Sequence, residues 1–451
     1  MLIDFSFSNY RSFRDQQSFS MMRQDKAKAV TQQDCSRVAA VYGANASGKS
    51  NFLNALRFMA STVRTSYSGG DATSGVTHDA FALCTTDGAS PASQFFVEFV
   101  ADDDQKYQYW FTLDDTKIEN EQLMVYRRLG ERLSTHSSLL FSRDEGGAVK
   151  FGTQFKGSRA QIQSTIRLRP NALLLSAAAA GGISSIMPVF DFFAKNFIYC
   201  EALAYEQEAP SILLRIERDP DYADELSTLI RYADFGITAV ESASVSLTPS
   251  EREKLRMNLS EGFGMEQKKI EELLNSKQRK LLFNHVGADE TSVSFGEGRE
   301  SRGTLAALSF FSLALRSLSR RTVTVVDEID TSLHPSLVRD FIALYADSAT
   351  NPHGSQLIFT THDVSLITGA GTVNRLLDPD QIWLVEKDAA GTSEIYPLTQ
   401  LHLRKGENIG RNYLNGVYGA VPKTNFHTAF ARIIEQSEET TVLSDRAEAE
   451  R

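Results

Sequence analysis

GANASGKSNF, residues 43–52, decides how this chain is read. Its first half is small and flexible, its second half starts a helix, and Lys49 stands at the join. The apolar run VAAVY precedes it, and Phe52, Leu53, Leu56 and Phe58 or Met59 follow at helical spacing. Strand, glycine-rich loop and helix in that order fit G-x-x-x-x-G-K-[ST], with Gly43, Gly48, Lys49 and Ser50 at the fixed positions. A phosphate chain needs converging backbone N–H groups at a helix start, close approach and one cation. Asn45, Ala46, Ser47, Gly48 and Asn51 lie where those N–H groups belong. Lys49 is expected to reach the β- and γ-phosphates of ATP, and the Ser50 hydroxyl to ligate Mg²⁺.

A phosphate loop requires a second source of metal ligand and base. RTVTVVDEID supplies one: Val323 to Val326 read as a buried strand that delivers Asp327 and Glu328 to its carboxyl end, where ligands bind in open parallel sheets. Asp327 suits the Mg²⁺ shell and Glu328 a base acting on water. A second apolar strand, in SQLIFTTHD, ends at His362, which would lie beside Asp327 if the two strands are neighbours; that order, together with the resemblance given below, makes it an expected γ-phosphate contact. Ser301-Arg302-Gly303-Thr304 precedes an apolar helix at Leu305 to Leu315 and reads on its own as a helix cap.

Composition bounds the partners. The net charge of -10 excludes a protein basic all over, so nucleic-acid contact must be local. Cys35, Cys84 and Cys200 are far apart and give neither a zinc cluster nor a disulfide framework, which fits a reducing cytoplasm. The most apolar stretch, Asn171 to Cys200, is interrupted by Gly181, Gly182, Pro188, Asp191 and Lys195, a poor membrane span and a reasonable buried helix pair.

The pattern predicts an α/β fold in five parts. Residues 1–62 hold the first half of an ATPase core, opening the parallel sheet, with a strand at Arg37 to Tyr42 and a helix at Ser50 to Thr62. Residues 63–160 hold an inserted antiparallel β layer, with a hairpin from Phe95 to Leu113 around an acidic turn. Residues 161–290 read as mainly helical. A capping box at Thr248-Pro249-Ser250-Glu251 and a break at Gly262-Phe263-Gly264 suggest a short helical hairpin, whose second arm, Met265 to Leu282, spans at most roughly 27 Å. Residues 291–422 return to α/β, with strands at Thr322 to Val326, Gln356 to Thr360 and Gln381 to Glu386. Residues 423–451 form a tail with a disordered end.

Taken together, NYRSF, GANASGKS, ESRGTLAAL, VVDEIDTSLHP and IFTTHD resemble the ABC-type ATPase heads of the SMC and recombination-repair class. They are similar in particular to the stand-alone AAA ATPases of bacterial phage-defence operons: abortive-infection, OLD-like and PARIS-type. DPDQIWLVEKDAAGTSEIYPL and LRKGENIGRNYLNGVYGAVP resemble that defence branch most. The resemblance implies a head that dimerises around ATP, with Ser301, Gly303 and Thr304 of one copy capping the nucleotide of the other. It further implies that Ser332-Leu333-His334 is a dimer-contacting loop and that Arg11 lies near the nucleotide. Arg302 stands where transporter heads carry a glycine, and LLLSAAAAGG, where a metal-sensing glutamine would be sought, contains none.

The expected function is a Mg²⁺-dependent ATPase switch, a homo-oligomer through its heads, that controls a separate effector. That effector would be a TOPRIM-like nuclease or a toxin encoded nearby and held until a phage-protein trigger arrives. A DNA-repair ATPase that binds DNA directly stays open as the alternative, on the basic residues Lys268, Lys269, Lys277, Arg279 and Lys280.

Overall fold

The structure, a computed structural model, describes residues 1–23, 35–83, 92–129, 132–200, 205–245, 253, 278–368, 375–404, 406–422 and 425–434. Two sheets and a smaller third organise them.

The core sheet has the order β16-β15-β3-β14-β13-β9. Its strands are β3 (Val38–Gly43), β9 (Phe197–Cys200), β13 (Val323–Val326), β14 (Gln356–Thr360), β15 (Ile382–Lys387) and β16 (Ser393–Pro397). All pair in parallel except β16, which runs antiparallel to β15 at the edge. β3, β13 and β14 are buried along their whole length, as expected of short aliphatic strands covered on both faces. One face carries the helix Lys49–Thr65, the other the helices Arg302–Leu318 and Pro335–Ala346.

The second sheet is antiparallel, in the order β2-β1-β4-β5-β6-β7-β8. It comprises β1 (Leu2–Ser8), β2 (Gln17–Ser20), β4 (Ser93–Val100), β5 (Lys106–Leu113), β6 (Ile118–Leu129), β7 (Arg132–Arg143) and β8 (Val149–Phe151). It covers the Lys49–Thr65 helix through an aromatic cluster in which Phe5, Phe7 and Phe19 pack on Phe52. The opening strand therefore belongs to this antiparallel layer, where an opening strand of the parallel sheet was expected. Alternate residues of β1 place Phe5 and Phe7 over the helix, and burying those rings fixes the strand's partner.

The expectation of a mainly helical 161–290 region is corrected at three strands. The Asn171–Cys200 stretch does form helices, Leu174–Ala180 and Met187–Asp191, but then turns through a π-helical segment, Phe192–Asn196, into β9. β10 (Ile237–Val245) and β11 (Gln278–Val286) pair antiparallel, and β12 (Ser292–Gly296) extends them, so the segment after 290 opens with this third sheet. The alternation in LLFN decides it: Leu281 and Phe283 are buried and Leu282 and Asn284 are less so. Helices Tyr205–Arg218 and Pro220–Tyr232 close over that sheet, and both pack on the Arg302–Leu318 helix through Leu305, Leu308, Phe311 and Leu315. The capping box at Thr248, the glycine break and most of the Met265–Leu282 arm lie outside the described residues; Gln278 to Leu282 are strand. Lys268, Lys269 and Lys277 also lie outside them, while Arg279 pairs with Glu217 at 3.1 Å. The tail is helical over 426–434, and residues 435–451, where the disordered end was expected, lie outside the described residues.

Candidate active site

β3 feeds directly into the loop Ala44–Gly48, and the helix begins at Lys49. Ala46 takes φ 60° and Gly48 φ 116°, so the chain reverses within the loop. A Cβ on Gly48 would lie 2.6 Å from Ser393 Oγ and 3.0 Å from Ser12 Oγ; one on Gly43 would lie 2.4 Å from Val385 O. The two glycines are therefore demanded by the chain's own packing as much as by any ligand. A hydrogen-bonded chain pins the loop from behind: Asn51 Nδ2 donates to Ser12 Oγ at 2.8 Å, the Ser12 and Ser393 hydroxyls are 2.8 Å apart, and Ser393 Oγ donates to Ser47 O at 2.6 Å. Ser12 lies in NYRSF and Ser393 in DPDQIWLVEKDAAGTSEIYPL, but neither was anticipated as a support of the loop, and Ser393 lies more than 300 residues from it.

The open side of the loop is left for something else. No side chain caps the helix, and Phe52 N is the first amide to close a helical bond, to Gly48 O at 2.9 Å. The amides of Lys49, Ser50 and Asn51 thus have no acceptor within the helix. Asn45 and Ala46 are exposed, Ser50 and Asn51 half-buried. Lys49 is only 7% exposed, and its ammonium donates to Gly43 O at 2.9 Å and Ala44 O at 3.1 Å. Burial lowers its pKa below 10.5, while Asp327, Glu328 and Asp330 oppose the shift. An enclosed cation beside unclaimed amides fits a phosphate chain.

Parallel pairing of β13 with β14, and of β14 with β3, brings the acidic pair and His362 to the same carboxyl edge as the loop. Asp327 Oδ1 accepts from Thr360 Oγ1 at 2.5 Å, and Glu328 N donates to the same hydroxyl at 2.7 Å. Glu328 is exposed, with φ 50°. His362 N donates to Asp330 Oδ2 at 3.2 Å, whereas Asp330 Oδ1 is buried with no hydrogen-bond partner. The His362 pKa lies below 6.5, through desolvation first and the Lys49 charge second, against Asp330, Glu328 and Asp327, so the imidazole is neutral at pH 7. The donor set of Ser50 hydroxyl and Asp327 carboxylate is the hard-oxygen type that suits Mg²⁺. Thr360 and Asp330 were not anticipated as site residues; a polar residue closing an otherwise apolar buried strand was the available signal for Thr360.

The remaining residues lie elsewhere. Arg11, at φ 50°, directs its guanidinium to Asp79 at 3.0 Å, although its neighbour Ser12 supports the loop. Ser301 caps the Arg302–Leu318 helix by accepting from Thr304 N at 3.0 Å, and its hydroxyl is 2.8 Å from Thr304 Oγ1. Thr304 is buried and Ser301 exposed. A Cβ on Gly303 would sit 3.2 Å from Ser332 O, so this helix start abuts the Ser332-Leu333-His334 loop of its own chain. LLLSAAAAGG packs at the far end of the Lys49–Thr65 helix, where Tyr67 N donates to Ser176 Oγ at 3.2 Å. That is about 24 Å of helix from Lys49, too far for a residue there to touch a metal.

The family described as "AAA domain, putative AbiEii toxin, Type IV TA system" matches residues 38–368. The chain belongs to that family. The matched span of this AAA domain begins with β3 and takes in the phosphate loop, Ser301, the acidic pair and His362, so the domain is an ATPase domain that binds ATP. No curated protein matches the sequence. Solved structures similar to it include an SMC head bound to the C-winged helix domain of ScpA, at 13% identity over 88% of this chain and 96% of that one, TM-score 0.37. Another is the recombination mediator RecF with ATP, at 14% identity over 80% and 93%, TM-score 0.33. No helix among the described residues is long and apolar enough to cross a membrane.

Proposed function

We propose that this AAA domain is a Mg²⁺-dependent ATP-hydrolysing switch whose heads close in pairs on ATP and thereby control a separate effector in phage defence. The observation that carries the reading is the meeting of one buried cation, Lys49, with Asp327, Glu328, Asp330 and His362 at the ends of β3, β13 and β14. Lys49 and the amides from Gly48 to Asn51 bind the phosphates. Ser50 and Asp327 hold Mg²⁺, which when bound neutralises charge on the phosphate oxygens. Glu328, exposed at the mouth of the site with its Oε2 accepting from Thr331 Oγ1 at 3.4 Å, takes the proton of the attacking water. The neutral His362 ring contacts the terminal phosphate without adding charge. Ser301 is exposed and Gly303 half-buried against the Ser332 loop, and this helix start is suited to a nucleotide held by a second copy.

In this reading residues 1–62 and 291–422 are the two halves of the ATPase core and the parts between carry closure to the effector, with β9 tying them to the core sheet. The family description, with its toxin and toxin–antitoxin terms, supports an abortive-infection setting. The effector is then a nuclease or toxin encoded nearby, released by a phage protein. Purification with the product of the neighbouring gene, as wild type and as Glu328→Gln, tests the proposal. The variant is expected to bind ATP and to remain a closed assembly; unchanged turnover in it removes Glu328 from the catalytic role.

A further inference from the structure

We infer that Thr360 is the positioning residue of this site, its single hydroxyl holding Asp327 and Glu328 in one fixed arrangement; the inference rests on the nucleotide-hydrolysing reading above. Thr360 closes β14, has no solvent exposure, and lies on the strand between β3 and β13. Its Oγ1 donates to Asp327 Oδ1 at 2.5 Å, in the range of a charge-assisted O–H···O⁻ bond, and accepts the Glu328 amide at 2.7 Å. Its carbonyl accepts from Ile329 N at 3.0 Å. A hydroxyl has one proton to give and lone pairs to receive with, so both roles are filled at once and neither can be exchanged.

Glu328 needs such a hold. A non-glycine residue at φ 50° persists only where its surroundings over-determine it, and Thr360 contacts the residue before it, the residue itself and the residue after it. The neighbouring Thr361 hydroxyl serves its own loop instead, accepting from Asp363 N at 2.9 Å. The strand end thus fixes the metal-binding carboxylate in one rotamer and aims the base, while Thr360 itself, with no solvent exposure, acts through those two residues.

Thr360→Val keeps the shape and removes the hydroxyl; Thr360→Ser keeps the hydroxyl and removes a methyl. In the nucleotide-free protein, hydrogen exchange at the Glu328 amide is expected to quicken about tenfold or more in T360V and to stay near wild type in T360S. With ATP, apparent Mn²⁺ affinity read by electron paramagnetic resonance and turnover are each expected to fall about 10- to 100-fold in T360V, with T360S largely restored. Thr360→Ala carries the same expectation should T360V fail to fold. Exchange and Mn²⁺ affinity in T360V within about twofold of wild type, or T360S as impaired as T360V, would overturn the inference and assign Thr360 to packing. A wild-type protein that does not hydrolyse ATP would instead overturn the function proposed above, and the exchange comparison would still decide the role of Thr360.

Discussion

Two helices of equal length, Lys49–Thr65 and Arg302–Leu318, present their N-termini in opposite ways. The first starts from a left-handed Gly48 with no side-chain cap, is walled in by the Ser12, Ser393 and Ser47 contacts, and holds a buried lysine. The second is capped by its own Ser301, which is exposed together with Arg302. An enclosed helix start that lacks a cap leaves its amides to a ligand; an exposed start that caps itself is already stable and has its outer surface to offer. In the function proposed above, the Lys49 helix start serves the nucleotide of its own chain and the exposed Ser301 helix start serves that of a second copy.

That asymmetry can be broken at four points. Glu328→Gln has the largest effect: turnover falls about 10²- to 10⁴-fold while ATP affinity holds, measured by single-turnover hydrolysis beside equilibrium binding. Lys49→Ala acts on binding, because a hydrogen bond to a charged group contributes about 1.5–3 kcal/mol; calorimetry should show ATP affinity reduced about 10- to 100-fold. Ser301→Ala loses its cap, about 1 kcal/mol of stability by denaturant titration. It loses turnover too, yet ATP affinity of a dilute single copy is unchanged. Mixing Ser301→Ala with Lys49→Ala copies recovers part of the activity if the two halves act across copies; no recovery would return both halves to one chain.

The smallest effect is the pH response of His362. Its folded pKa lies below 6.5, so the unfolded chain binds the proton more readily. Stability therefore falls as pH drops through 6.5 and levels off below the folded value. The imidazole keeps contact with solvent, so the slope is shallow. Denaturant titrations from pH 7 to 5 measure it as the difference in slope between wild type and His362→Asn.

The phosphate loop, acidic pair and His362 were legible because each is a short run: a buried strand followed at once by the polar residue it delivers. Strands β13, β14 and β15 were legible for the same reason. β9, β10 and β11 were not, nor was the sheet that receives β1, since these depend on partners far away in the chain. β1 reads as a strand from its alternation, but only burial of Phe5 and Phe7 over the Lys49–Thr65 helix decides which sheet receives it. β9 follows helices and a π-helical turn that give no warning of a strand.

The sequence by itself determined the chemistry carried by this chain, because residue type and spacing set what a strand end or helix start can bind. Tertiary structure alone decided which of these groups meet. β14 lies between β3 and β13, which puts His362 and Thr360 beside Asp327 and Glu328, and Ser393 closes behind the loop from the other end of the molecule. Hydrogen-bond partners separated by more than 300 residues leave no periodicity in the chain, only a fit that appears once both strands are buried in the same sheet.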